Sequence, residues 1–193
     1  SDFLKNWEAG FKGFHGMMVM RSGSPLNPMA IKAAEIHKEI ANYHLQNKQL
    51  EDAKTRYACA IRALEKAGDG TIPDECLREF KSAINNYCWY SLLSPNTNNP
   101  NRLEITKMID ICGRIVKSFP DDPDYAETFA LALCRAGQFE RSHRSASTAI
   151  ALWTKKNGKS SPYGVAIIAI CQHRLGDNDG ARKSLNEFRE SLK

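Results

Sequence analysis

Three stretches of the chain repeat one spacing of small and large apolar residues, and this recurrence limits the fold more than any other feature. Leu50-x-x-Ala53-x-x-x-Tyr57-x-x-Ala60-Ile61 is matched by Phe139-x-x-Ser142-x-x-x-Ala146-x-x-Ala149-Ile150. Asn178-x-x-Ala181-x-x-x-Leu185-x-x-Phe188 follows it more loosely. Steps of three and four residues place each set on one face of a helix. A turn residue stands just ahead of each: Lys48, Gly137 and Gly176. Small residues (Ala53, Ala60, Ala149, Ala181) let two paired helices approach closely, while Tyr57, Leu133 and Leu185 fill the space between neighbouring pairs. One pair cannot bury its apolar face alone, so the expected architecture is a stack of pairs.

The remaining punctuation fits that expectation. Asn27-Pro28 reads as an N-cap followed by proline at the first helical position. Behind it Ile31, Ala34, Ile36, Ile40, Tyr43 and Leu45 fall at roughly helical spacing. Gly68-Asp69-Gly70 closes the second helix. Pro73-Asp74-Glu75 opens a third that carries Leu77, Phe80, Ile84, Tyr87 and Leu92, its acidic first turn suiting the positive end of the helix dipole. Ser94 to Asn101 reads as a loop, and Asn101 with Glu104 resembles a capping box. Ile105, Met108, Ile109, Cys112, Ile115, Val116 and Phe119 mark another amphipathic helix, stopped at Pro120-Asp121-Asp122-Pro123. Two more pairs follow, divided at Gly137, at the Asn157 to Pro162 loop and at Gly176-Asp177. Alternating apolar and polar runs are absent, so the expected fold class is all-α.

Composition narrows the function. Apolar residues make up 42% and charged residues 25% of 193 residues, ordinary values for a globular protein. The net charge of +5 is mild for a nucleic-acid binder. No apolar run approaches the ~20 residues that span a bilayer, and the N-terminus lacks the order of a signal peptide. The first residue is Ser1, which reads as a chain processed or cut from something longer. Cys59, Cys76, Cys88, Cys112, Cys134 and Cys171 form no C-x-x-C pair; they read as reduced, buried thiols in a cytoplasmic protein.

The phrases Phe119-Pro120-Asp121-Asp122-Pro123-Asp124-Tyr125 and Ala132-Leu133-Cys134-Arg135-Ala136-Gly137-Gln138-Phe139-Glu140 resemble the junctions between and within tetratricopeptide repeats. With His173-Arg174-Leu175-Gly176-Asp177-Asn178-Asp179-Gly180-Ala181-Arg182, the chain looks like the repeat tails of large bacterial multidomain proteins, including serine/threonine kinases. No kinase motif is present. The resemblance implies an α-solenoid of about four antiparallel helix pairs, at about 34–67, 80–120, 123–156 and 162–193, within a repeat domain at 27–193. The second unit fits only if Ser94–Asn101 is an insertion. Residues 1–26 stand apart as an aromatic helix or linker carrying Phe3, Trp7, Phe11 and Phe14. They are expected to cap the stack, with self-association through this segment as the alternative.

In this family the first helix of each pair lines a concave groove that takes a peptide or a helix. The resemblance therefore places Lys38, Asn42 and Gln46 on the inner face, followed by Asn85, Asn86 and Trp89. It adds Glu127, Leu131 and Arg135 from the third unit, and Tyr163, Ile167, Ile170 and Arg174 from the fourth. Asparagine amides hydrogen-bond a backbone whatever its sequence, and tryptophan supplies an apolar anchor. Some members clamp a terminal carboxylate with Lys, Asn and Asn, then Lys and Arg. Lys38, Asn42 and Asn86 occupy the first three positions, but Asp124 and Thr128 stand where the last two should be, and an acid there repels an acidic tail. The plainer alternative is that these polar residues only solvate the inner face.

Chemistry beyond binding has no sequence support. His15, His37, His44, His143 and His173 form no H-E-x-x-H and no histidine–cysteine metal spacing. No phosphate loop or nucleophile elbow appears. The expectation is a scaffold for a protein or peptide partner: no enzyme, no cofactor, no metal. Nucleic-acid binding is the rival, carried by Arg141, Arg144, Lys155, Lys156, Arg182 and Lys183, though aromatic residues do not interleave with them.

Overall fold

The computed structural model describes residues 26–93 and 102–193, with Arg102 placed by its backbone alone. Expectations for Phe3, Trp7, Phe11, Phe14 and His15, for the 94–101 loop and for a capping box at Asn101 lie outside the described residues. Among these residues the chain forms nine helices and no strand: α1 Pro28–Gln46, α2 Leu50–Ala67, α3 Asp74–Glu79, α4 Lys81–Leu93, α5 Arg102–Ser118, α6 Pro123–Arg135, α7 Phe139–Asn157, α8 Pro162–Arg174 and α9 Asn178–Ser191. The fold is all-α, a solenoid of stacked helix pairs.

Local sequence accounts for most boundaries. The Asn27 side chain accepts from the Met29 and Ala30 N–H groups at 3.1 and 3.3 Å, and Pro28 gives up no hydrogen bond at the first position. Asp122 and Pro123 repeat this device at α6. The turns that divide the pairs are left-handed at the three aligned positions: Lys48 at φ 60°, Gly137 at 75° and Gly176 at 89°. Glycine adopts this region freely, whereas lysine pays roughly 1–2 kcal/mol for it.

One helix divides where the sequence reads as continuous. The stretch from Pro73 to Leu92 is interrupted at Phe80, whose backbone leaves the helical region at φ −101° and ψ 14°. Its buried residues Cys76, Phe80, Ile84, Cys88 and Leu92 are four apart. In a straight helix such a stripe drifts by about 40° per step. The break at Phe80 lets both parts direct this stripe into one core.

α1 packs on α2, α6 on α7 and α8 on α9, each pair joined by a tight turn. The second unit differs. α4 lies mainly against α2 and α6, and α5 mainly against α6, while α4 and α5 meet only sparsely. The core runs along the stack from Leu26 and Ile31 to Ile167 and Cys171. Close approach within the third pair rests on small residues: Ser142 and Ser145 on α7 donate to the Ala130 and Ala126 carbonyls of α6 at 2.7 and 2.9 Å. No helix among the described residues is long and apolar enough to cross a membrane.

Candidate functional site

Stacking the first helices of successive pairs brings α4, α6 and the start of α8 side by side, and the end of α7 closes the floor. Between them lies an open groove of about 780 Å³. α4 contributes Ser82, Asn85, Asn86, Trp89 and Tyr90; α6 contributes Asp124, Tyr125, Glu127 and Thr128. Trp153 comes from α7, Lys159 from the turn after it, and Ser161 and Tyr163 from the start of α8. The lining is half polar in character and rich in rings. That combination suits a segment carrying both backbone amides and side chains.

Trp89 and Tyr163 meet edge to face across the groove, with centroids 5.3 Å apart and planes at 79°. Tyr163 is 56% exposed, whereas Trp89 is half-buried and leans on the core. Asn85 and Asn86 are half-buried on the wall. Asn86 donates to the Tyr57 hydroxyl at 3.1 Å, and that hydroxyl donates to Asn42 Oδ1 at 2.8 Å. The phenol ring of Tyr57 is fully buried, so these amides satisfy a polar atom that would otherwise be stranded.

The acidic side of the groove is built differently. Ser161 Oγ donates to Glu127 Oε1 at 2.5 Å, and the Gly164 N–H in the first turn of α8 also bonds this carboxylate. A Cβ on Gly164 would stand 2.9 Å from Ile150 and 3.3 Å from Glu127 Oε1, so glycine leaves room for this approach. Glu127 is only 5% exposed. Burial holds its carboxyl above the ordinary range, against the pull of the Ser161 and Gly164 bonds, and Asp124 adds to the rise. Asp124, one turn earlier, is raised by burial and by Asp122, while Lys156 pulls it down. Neither carboxylate forms an ion pair among the described residues. The Thr128 hydroxyl donates to the Asp124 carbonyl at 3.0 Å.

The residues expected on the inner face are therefore dispersed. Asn85, Asn86, Trp89 and Tyr163 line the groove, with Glu127 at its floor. Asn42 lies behind the wall in the Tyr57 network. Lys38 lies over the Phe80 ring at 5.3 Å and 3.3 Å from Glu39. Leu131 and Ile167 fall in the core, 9% and 4% exposed, because the helices that carry them are covered on more than one side. Arg135 is exposed at the end of α6. Arg174 and Ile170 line a separate, mainly apolar furrow of about 690 Å³ between α8 and α9, with Leu185 and Phe188.

Reading only first helices misses Trp153, Lys159 and Ser161. Trp153 sits on a second helix, and its indole N–H is buried with no acceptor among the described residues. Ser161-Pro162 carried an N-terminal helix signal that could have placed the start of α8, though not its meeting with Glu127.

No protein-family model matches the chain, and no curated protein matches it. Among solved structures, the chain is similar to one titled crystal structure of MamA protein: 14% identity over 82% of this chain and 91% of that one, with a TM-score of 0.44. It is also similar to MamA 41-end from Desulfovibrio magneticus RS-1, at 14% identity over 82% of this chain and 94% of that one, with a TM-score of 0.42.

Proposed function

We propose that this chain is a protein-interaction scaffold that holds an extended segment of a partner in the α4–α6–α8 groove. One observation carries the reading. Residues from α4, α6, α7 and α8 converge on a single open groove whose walls mix rings, amides and hydroxyls. Rings give contact area at low entropic cost, and the Asn85 amide can serve any backbone. As a module of a larger multidomain chain, of the sort its sequence resembles, it would present this groove to a segment of another protein.

The nucleic-acid alternative has less support. Arg141, Arg144, Lys155, Lys156, Arg182 and Lys183 are exposed on α7 and α9, and none of them lines the groove. Of those cations only Lys156 stands near a ring of the groove, Trp153, so a strand tracking the others would miss the rings that could stack its bases.

The test is to select binders from a random-peptide display library on the full chain, then to measure their affinity by fluorescence anisotropy. Trp89→Ala is expected to weaken binding by tenfold or more, about 1.4 kcal/mol. Because Trp89 also leans on the core, the exposed Tyr163 gives a second variant, Tyr163→Ala, expected to weaken binding while circular dichroism stays unchanged. Binders indifferent to both variants would place the interaction elsewhere.

A further inference from the structure

The groove has a chemical preference built into it. On one side polar groups are already matched to each other: Asn86 donates to the Tyr57 hydroxyl, which donates to Asn42. On the other side Asp124 and Glu127 occupy consecutive turns of α6 without an ion-pair partner among the described residues. Trp89, Trp153 and Tyr163 line the same groove, with Tyr90 and Tyr125. Carboxylates that share a groove with aromatic rings, Asp124 exposed and Glu127 buried, attract a cation by charge, and a ring face adds to that attraction.

The chain's own cations do not fill this role. Lys156 Nζ lies 5.9 Å from the centre of the Trp153 ring, and Lys159 lines the groove from the α7–α8 turn, but neither reaches within ion-pair distance of Asp124 or Glu127. The indole N–H of Trp153 is buried and has no acceptor among the described residues, so Trp153 offers the lining its ring and not a reachable donor. A peptide would bring what this side of the groove lacks: a cationic side chain for the carboxylates.

We infer that the groove selects a basic peptide segment, seating an arginine or lysine side chain beside Asp124 and Glu127 among Trp89, Trp153 and Tyr163. This rests on the scaffold reading and adds the partner's chemistry to it. Glu127 is tied to the start of α8 through Ser161 and Gly164, so its contribution is a fixed charge, while Asp124, exposed and without a side-chain hydrogen bond to another side chain or an ion pair among the described residues, makes the more direct contact. The net positive charge of the chain as a whole does not oppose this, because exposed cations elsewhere are screened over about a Debye length.

The decisive experiment uses the selected library peptides and a neutral isostere. Binders are expected to be enriched in arginine or lysine. Replacing the critical arginine by citrulline, which keeps its shape and removes its charge, should weaken binding by about tenfold. Asp124→Asn should do the same to the arginine peptide and leave the citrulline peptide unaffected; that coupling reports charge pairing and not altered packing. Glu127→Gln, which preserves acceptors for Ser161 and Gly164, gives the parallel readout if Asp124→Asn perturbs the helix. Peptides enriched in acidic residues, or affinities that ignore citrulline while still responding to Tyr163→Ala, overturn the cation preference and leave the groove intact. Binders that ignore Tyr163→Ala and Trp89→Ala overturn both readings.

Discussion

The helix pairs α1–α2 and α6–α7 share a skeleton. Each turns through a left-handed residue, Lys48 in one and Gly137 in the other, and each packs small residues of its second helix against its first. Their polar groups near the groove meet different fates. In the first pair, the buried Tyr57 hydroxyl sits between Asn42 and Asn86, donating to one and accepting from the other. In the third, Asp124 and Glu127 have no ion-pair partner among the described residues, and burial raises both of their pKa values. Matched polar groups stabilise and specify a fold; unmatched ones cost stability and leave capacity for something outside it. The comparison assigns the first region to architecture and the second to recognition.

The largest break in that comparison comes from Tyr57. Tyr57→Ala empties a fully buried site and is expected to cost about 3–5 kcal/mol in denaturant unfolding. Tyr57→Phe keeps the ring and loses only the bridging hydroxyl, at about 1 kcal/mol. If the amides serve architecture, that variant leaves peptide affinity unchanged; a matching loss of affinity would move the Asn42–Asn86 network into the binding site.

Ser161→Ala comes next. It removes a donor from a buried carboxylate and exposes the start of α8 to the consequences, an expected loss of about 1–3 kcal/mol. The same substitution should raise the Glu127 pKa further, since the Ser161 bond is one of the two that hold it down.

The smallest effect, and the one with a defined pH signature, is that of Glu127→Gln. A carboxyl raised in the folded state keeps its proton at pH values where the unfolded chain has released it. Its favourable contribution is therefore complete below the unfolded value near 4.5 and is lost as pH rises through the folded value. Thermal melts of the parent should fall across that window, and those of Glu127→Gln should fall less, leaving the variant more stable than the parent at neutral pH. A variant that melts lower at neutral pH would show the charge to be structural, and would dissolve the contrast between the two regions.

The sequence made the paired helices and their turns legible because local chemistry decides them. Asn27-Pro28, Asp122-Pro123, Gly137 and Gly176 fix their backbones through caps and left-handed geometry that act over a few residues. The break at Phe80 was less visible, since the four-residue stripe that produces it has a meaning only when one common core must receive all five side chains. Asn85, Asn86, Trp89 and Tyr163 could be assigned to the inner wall from their place on first helices. Leu131 and Ile167, on the same kind of position, are buried, because one-dimensional spacing does not say how many neighbours cover a helix.

By itself, then, the sequence determined the helices, the turns between them and the recurring small-residue faces that let them pair. Only the tertiary structure decided which polar groups meet: that Tyr57 closes a circuit with amides from two other helices, and that Ser161 and Gly164 reach Glu127 across 34 residues or more of chain. The physical reason is range. Caps and helical faces are written in neighbours three or four residues apart, whereas burial, and with it the energy of an unpaired charge, depends on everything that the fold brings alongside.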